Sequence, residues 1–301
     1  DIMAVNKNYY ETLYARPVVS LTGYCKRQRL DGVILAYLAY GGATNSIKDS
    51  LAEGILALAT EKGLLRPEQT VVEASSGSFA VALAIACNHS NHPLVLCMPA
   101  SVSIERQQMF ARLGATVTLV SYLSSRLGIA DRARQIAADM NGYFVNYFDN
   151  DLNAEFHRRI TGPAIVRAAG DNLDAIVVGV GSGGTITGVG EYAKAWIPNV
   201  RIIAVEPYES QAIGGGAIGK HHIPGLGAGF VPENYNPYIV DAVMAVPSAK
   251  AQSTALDVLL SDAIPASPSG GAALCAATQL MREQPNVKRV ACVFAGKQLY
   301  E

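Results

Sequence analysis

Short apolar runs recur along the chain at residues 18–21 (VVSL), 32–38 (GVILAYL), 70–74 (TVVEA), 93–98 (PLVLCM), 116–120 (TVTLV), 143–148 (YFVNYF), 175–180 (AIVVGV), 201–206 (RIIAVE) and 289–294 (RVACVF). Most are continuous rather than alternating, the pattern of strands covered on both faces. Helix-length segments lie between them, at 46–63, 78–89, 103–114, 128–142, 153–170, 185–196 and 271–284. This alternation predicts an α/β fold with mostly parallel sheets and right-handed crossovers. Ser103 and Gly114 read as the start and stop of one helix, and Gly63, Gly142 and Gly170 as stops of others. The polar stretch 147–154 is the best place for a junction between lobes. At 301 residues, the chain is long enough for two lobes or one large α/β unit.

Composition narrows the function classes. Half the residues are apolar and 16% are charged, which supports a sizeable core and argues against disorder. The formal net charge is −1, so no basic surplus is available for nucleic acid. No apolar stretch of about 18–20 residues suits a membrane span. Cys25, Cys87, Cys97, Cys275 and Cys292 fit no disulfide or zinc spacing. Small buried hydrophobes in a reducing, cytoplasmic compartment are expected, with a catalytic thiol as the alternative. The opening residues lack the layout of a signal peptide, and the start at Asp1 suggests that a few residues precede it. His221-His222 reads as a solvated turn, and no metal cluster is expected.

Four segments could carry chemistry. In AIVVGVGSGGTITGVG (175–190), a strand runs into a glycine-rich turn and then a helix. Free backbone N–H groups and the positive helix end would meet there, with Ser182 and Thr185 adding hydroxyls, a setting for phosphate. The same segment satisfies the dinucleotide pattern G-x-G-x-x-G, with Glu206 near the place of a ribose-binding acid. Lys48 opens a helix after the turn GGATN, where the helix dipole disfavours its charge, and a neutral amine is what a Schiff base requires. Glu73-Ala-Ser75-Ser76-Gly77-Ser78-Phe79 leads from a strand into a helix and could hold a carboxylate. Ser267-Pro-Ser269-Gly270-Gly271 opens another helix. Each of the last three is also compatible with an ordinary surface lysine, cap or turn.

Together and in order, these segments resemble the cysteine synthase and cystathionine β-synthase family of fold-type II pyridoxal-phosphate enzymes, which includes the O-acetylserine sulfhydrylases. RPVVSL (16–21), NSIKDS (45–50), VVEASSGSFAVALA (71–84), MPASVSIERQQMFARLGATVTLV (98–120), FDNDLNAEFHRRITGPAI (148–165), GSGGTITGVG (181–190), IPGLGAGFVPE (223–233) and SGGAA (269–273) carry the resemblance, which spans nearly the whole chain. Eight segments in register outweigh the dinucleotide pattern. The resemblance implies pyridoxal 5'-phosphate bound as an imine to Lys48, its phosphate on Gly181, Ser182, Gly183, Gly184 and Thr185, its ring nitrogen at Ser269, and Ser78 beside the ring. The amino-acid substrate falls to Ser75, Ser76, Gly77, Phe79, Tyr147 and Gly227.

The implied architecture is two three-layer αβα lobes with mostly parallel sheets. One lobe spans 36–147, with a mobile part at about 76–122. The other takes 1–35 plus 148–301, and the cofactor lies between them. The implied reaction is β-replacement on O-acetylserine or O-phosphoserine by sulfide or another nucleophile, through an α-aminoacrylate formed after Lys48 takes the α-proton. A neutral serine at the ring nitrogen suits elimination rather than transamination. Small-molecule substrates and a homodimer are the expected partners. Departures from the family pattern cluster at the amino-acid pocket. Ser78 stands for an asparagine, Phe79 for a threonine, Tyr147 for a glutamine and Ser50 for an arginine. They leave open β-elimination of cysteine, cystathionine or 2,3-diaminopropionate synthesis, and a degenerate cofactor-binding partner protein.

Overall fold

The structure, a computed structural model, describes residues 8–121 and 126–297. The opening residues read for a targeting signal, and residue 122 at the end of the stretch expected to move, lie outside them. The strands are β1 (Val18–Ser20), β2 (Val33–Leu38), β3 (Val71–Ala74), β4 (Leu94–Pro99), β5 (Ala115–Val120), β6 (Tyr143–Phe144), β7 (Ala175–Gly179), β8 (Arg201–Pro207), β9 (Ala242–Val246) and β10 (Arg289–Phe294). The helices are α1 (Tyr9–Tyr14), α2 (Thr22–Arg27), α3 (Lys48–Glu61), α4 (Ser78–His89), α5 (Ile104–Arg112), α6 (Arg126–Asp139), α7 (Asp151–Phe156), α8 (Gly162–Ala169), α9 (Gly184–Trp196), α10 (Ser248–Asp262) and α11 (Pro268–Glu283).

The chain divides into two compact units. Gly42–Leu152 form one, and the segments up to Gly41 and from Asn153 form the other. The expected boundary at 35/36 falls inside β2 and is corrected. β2 pairs with β10 along its length, from Val33 opposite Arg289 to Leu38 opposite Phe294, so the strand cannot be cut there. The second boundary likewise falls after Leu152 rather than after Tyr147.

The larger unit holds a sheet in the order β1-β2-β10-β7-β8-β9, parallel except for the edge strand β1. β7, β8 and β10 are buried almost throughout, as their unbroken apolar sequences require. Ile34, Val177, Ile203, Leu274, Val290 and Phe294 share one core, each such side chain contributing about 1.5–3 kcal/mol by leaving water. The smaller unit holds a parallel sheet in the order β5-β4-β3-β6. Its Val72, Val95 and Cys97 share a core with Ala133 and Ala137 of α6.

Three features differ from the sequence-based expectation. β9 was not anticipated. It is a half-exposed edge strand, so its sequence lacks the continuous apolar signal. α1, α2 and α10 were also missed. α2 has no capping side chain of its own, and Asp262, the last residue of α10, accepts hydrogen bonds from Gly23 N (2.8 Å) and Tyr24 N (2.7 Å) instead. The single helix expected over 153–170 is interrupted by a π-helical turn at His157–Thr161, a form that recurs at functional sites.

Candidate active site

Lys48 is the first residue of α3. Gly42, Thr44 and Ser46 fold back over Asp49, whose carboxylate accepts Thr44 N at 3.0 Å and Ser46 N at 3.3 Å. Asp49 is 5% exposed and therefore acts as the internal template of the turn. Asn45 takes the left-handed conformation within it (φ 50°). Lys48 is partly buried, and loss of hydration lowers its pKa from the ordinary lysine value, with Asp49 pulling the other way. The amine is thereby easier to hold neutral.

The same unit carries the segment after β3. Residues 75–77 turn the chain into α4, which opens at Ser78 with no capping side chain, so its first N–H groups are not spent on one. Ser78 is exposed, while Phe79 is buried at 3% and stacks on Tyr147 with centroids 4.1 Å apart and planes inclined by 20°. Two of the four departures from the family pattern therefore touch each other. Two residues to which sequence reasoning assigned no role of their own also brace this turn. Buried Glu73 accepts Ala74 N (2.7 Å) on one oxygen and Tyr147 N (3.1 Å) on the other. Arg106 donates from Nε to the Ser76 carbonyl at 2.6 Å.

In the larger unit, β7 runs through Gly181 and Ser182 into α9. Gly183 is left-handed (φ 83°), a backbone state that favours glycine. A Cβ on Gly181 would lie 2.1 Å from the Gly225 carbonyl oxygen, so that backbone approach also demands glycine. α9 has no side-chain cap. Asn153 Nδ2 donates to Ser182 Oγ at 3.0 Å. Thr185 Oγ1 hydrogen-bonds His157 Nε2 at 3.1 Å, and His157 Nδ1 lies 2.8 Å from Thr161 Oγ1. Asn153 and His157, both fully buried, were not singled out from sequence. The motif FDNDLNAEFHRRITGPAI contained them, but only the fold brings them to the glycine turn. Ser269, in the first turn of α11, is buried with its Oγ 2.8 Å from Ser267 Oγ. Gly227 is left-handed (φ 60°), and its N–H donates to the Val180 carbonyl at 3.1 Å.

Two competing readings fail on this geometry. Glu206, placed for a ribose in the dinucleotide reading, is 1% exposed and accepts Ile213 N and Gly214 N, both at 2.9 Å, on its two oxygens. It organises its own loop. The five cysteines are free, and burial pushes each thiol up, Cys97 to about 11 and Cys87 to about 12, which suppresses the nucleophilic thiolate. His221 departs from the expected solvated turn. Its Nε2 lies 3.1 Å from the Gly227 carbonyl and its Nδ1 accepts Ile223 N at 3.2 Å.

The sequence pattern of the pyridoxal-phosphate dependent enzymes matches residues 15–296. The chain belongs to this family. A cysteine synthase of Staphylococcus aureus is 33% identical over 289 residues, covering 95% of this chain and 92% of that protein. Among solved structures, O-acetylserine sulfhydrylase isoform 3 of Entamoeba histolytica is 28% identical with a TM-score of 0.89, covering 99% of this chain and 90% of that one. An O-ureido-L-serine synthase is 26% identical with a TM-score of 0.87, covering 98% and 92%. The protein is thus an α/β enzyme that depends on pyridoxal phosphate. Its residues fit that group. The uncapped start of α9 and the close-packed glycine turn offer main-chain donors to a phosphate, and Lys48 offers an amine shifted toward its neutral form. Among the described residues, no helix is long and apolar enough to cross a membrane.

Proposed function

We propose that this enzyme performs β-replacement on an activated serine, O-acetylserine or O-phosphoserine, with sulfide or another small nucleophile. The names of its relatives support the reaction class: a cysteine synthase, an O-acetylserine sulfhydrylase and an O-ureido-L-serine synthase. The observation that carries the reading is Lys48, set at a helix start on an internally templated turn, with burial lowering its pKa.

When bound, pyridoxal phosphate supplies an electron sink that acidifies the α-hydrogen of an attached amino acid. Lys48 would anchor it covalently in the resting enzyme and, as a neutral amine, would take the α-proton on Nζ. Gly181, Ser182, Gly183, Gly184 and Thr185 hold the phosphate, with Asn153 and His157 orienting the two hydroxyls. Ser269 would offer the ring nitrogen a neutral hydroxyl, and Ser78 would be a further contact to the ring. Ser75, Ser76 and Gly77 receive the substrate carboxylate on main-chain N–H groups. Phe79 and Tyr147 shape the amino-acid pocket beside that turn. A cytoplasmic homodimer completes the reading, and the free, mostly buried cysteines suit a reducing compartment.

The test is the visible spectrum of the cofactor-loaded protein before and after O-acetylserine, followed by product analysis with sulfide. A band that shifts on adding O-acetylserine, with cysteine formed, is expected. A band untouched by both O-acetylserine and O-phosphoserine would overturn the reading.

A further inference from the structure

We propose that Glu73, Phe79 and Tyr147 form one positioning clamp on the turn at residues 75–78, and that this clamp sets amino-acid affinity. The inference rests on the reading of that turn as the amino-acid site. Glu73 lies near the end of β3, two residues before the turn, and its buried carboxylate takes the N–H of Ala74 on one oxygen and of Tyr147 on the other. Phe79 immediately follows the turn, and its buried ring stacks on Tyr147 at 4.1 Å. One residue, Tyr147, is thus gripped by its backbone from the entrance of the turn and by its ring from the exit. Arg106 fixes the middle through the Ser76 carbonyl.

This arrangement matters because Phe79 has no hydrogen-bonding group. Side-chain donors can re-aim by changing rotamer, whereas main-chain donors are only as well aimed as the backbone is rigid. A site that relies on main-chain N–H groups therefore depends on whatever immobilises them. The clamp belongs to binding, and none of its three residues is asked to move a proton.

The experiment compares the cofactor-loaded wild type with Phe79→Leu, Tyr147→Leu, Tyr147→Phe, Glu73→Gln and the Phe79→Leu/Tyr147→Leu double variant. L-Alanine, which lacks a leaving group, is titrated against the visible band. KM and kcat are measured with O-acetyl-L-serine, and the cofactor band and melting temperature are recorded for every variant. An aromatic pair of this kind corresponds to about two- to tenfold in affinity. Each leucine variant and Glu73→Gln should weaken L-alanine binding and raise KM by that factor, with kcat within about twofold. Tyr147→Phe, which keeps the ring, should bind as the wild type does, and the double variant should be no worse than the weaker single. Losses that multiply in the double variant would overturn the clamp, as would a fall in kcat at unchanged L-alanine affinity. If Phe79→Leu does not fold, the contrast between the leucine and phenylalanine variants at half-buried Tyr147 decides. A wild type that holds cofactor but binds no amino acid sinks the substrate reading and the clamp together. Wild-type binding that the variants leave unchanged sinks the clamp alone.

Discussion

Lys48 illustrates how setting changes the character of an ordinary side chain. The resemblance of its neighbours suggests the role proposed for it, but the lowered pKa comes from burial, and the turn that presents it is held by Asp49. A lysine whose pKa is lower in the folded than in the unfolded chain binds fewer protons when folded. Its contribution to stability is therefore fully present above the unfolded value of about 10.4 and is lost as pH falls through the lowered folded value. Lys48→Met should abolish turnover and the visible band of the Lys48-linked cofactor. In cofactor-free protein the same variant should melt above wild type at pH 7, with the gap closing as pH rises from the lowered folded value to about 10.4, as differential scanning calorimetry would show. Phe79 and Tyr147 stand at the opposite pole of legibility. Their departure from the family pattern was visible in the sequence, yet their mutual stacking was not, because 67 intervening residues separate them and no local period encodes the contact.

At the scale of elements, the glycine turn before α9 and the turn before α4 make different demands. Alanine at Gly181 would put a Cβ 2.1 Å from a carbonyl oxygen, while a Cβ at Gly77 meets nothing within 4 Å. Gly181→Ala should lose about 1–3 kcal/mol of stability and bind pyridoxal phosphate more weakly. Gly77→Ala should unfold at the wild-type urea concentration. A cofactor titration and a urea denaturation curve for each variant would check both. α2 shows a second kind of element, one whose start is capped from outside. Asp262→Ala removes an acceptor shared by Gly23 N and Tyr24 N and should cost about 1–2 kcal/mol in urea unfolding. That cap explains why α2 was illegible, since its acceptor lies more than 200 residues away.

For the whole molecule, cofactor binding and stability are linked. A ligand held only by the folded state stabilises it by about 2.7 kcal/mol at a hundredfold excess over its Kd. Pyridoxal phosphate should therefore raise the melting temperature in a concentration-dependent way, and thermal scans should show a smaller rise for Gly181→Ala. The sequence by itself determined the α/β class, because strands covered on both faces must be apolar along their length, and β7, β8 and β10 are so. It also pointed to the kind of chemistry, though only through the resemblance of eight segments in register to one family, since the lysine at a helix start and the glycine turn each left an ordinary reading open taken singly. Tertiary structure alone decided where the units divide, since β2 belongs with β10 through hydrogen bonds to a strand some 250 residues away. It alone decided that β9 closes the sheet edge, that His157 and Asn153 reach the glycine turn, and that Glu73 holds Tyr147 against Phe79. Those outcomes depend on packing between distant segments, where burial of one side chain against another, rather than the order of neighbours, sets the contact.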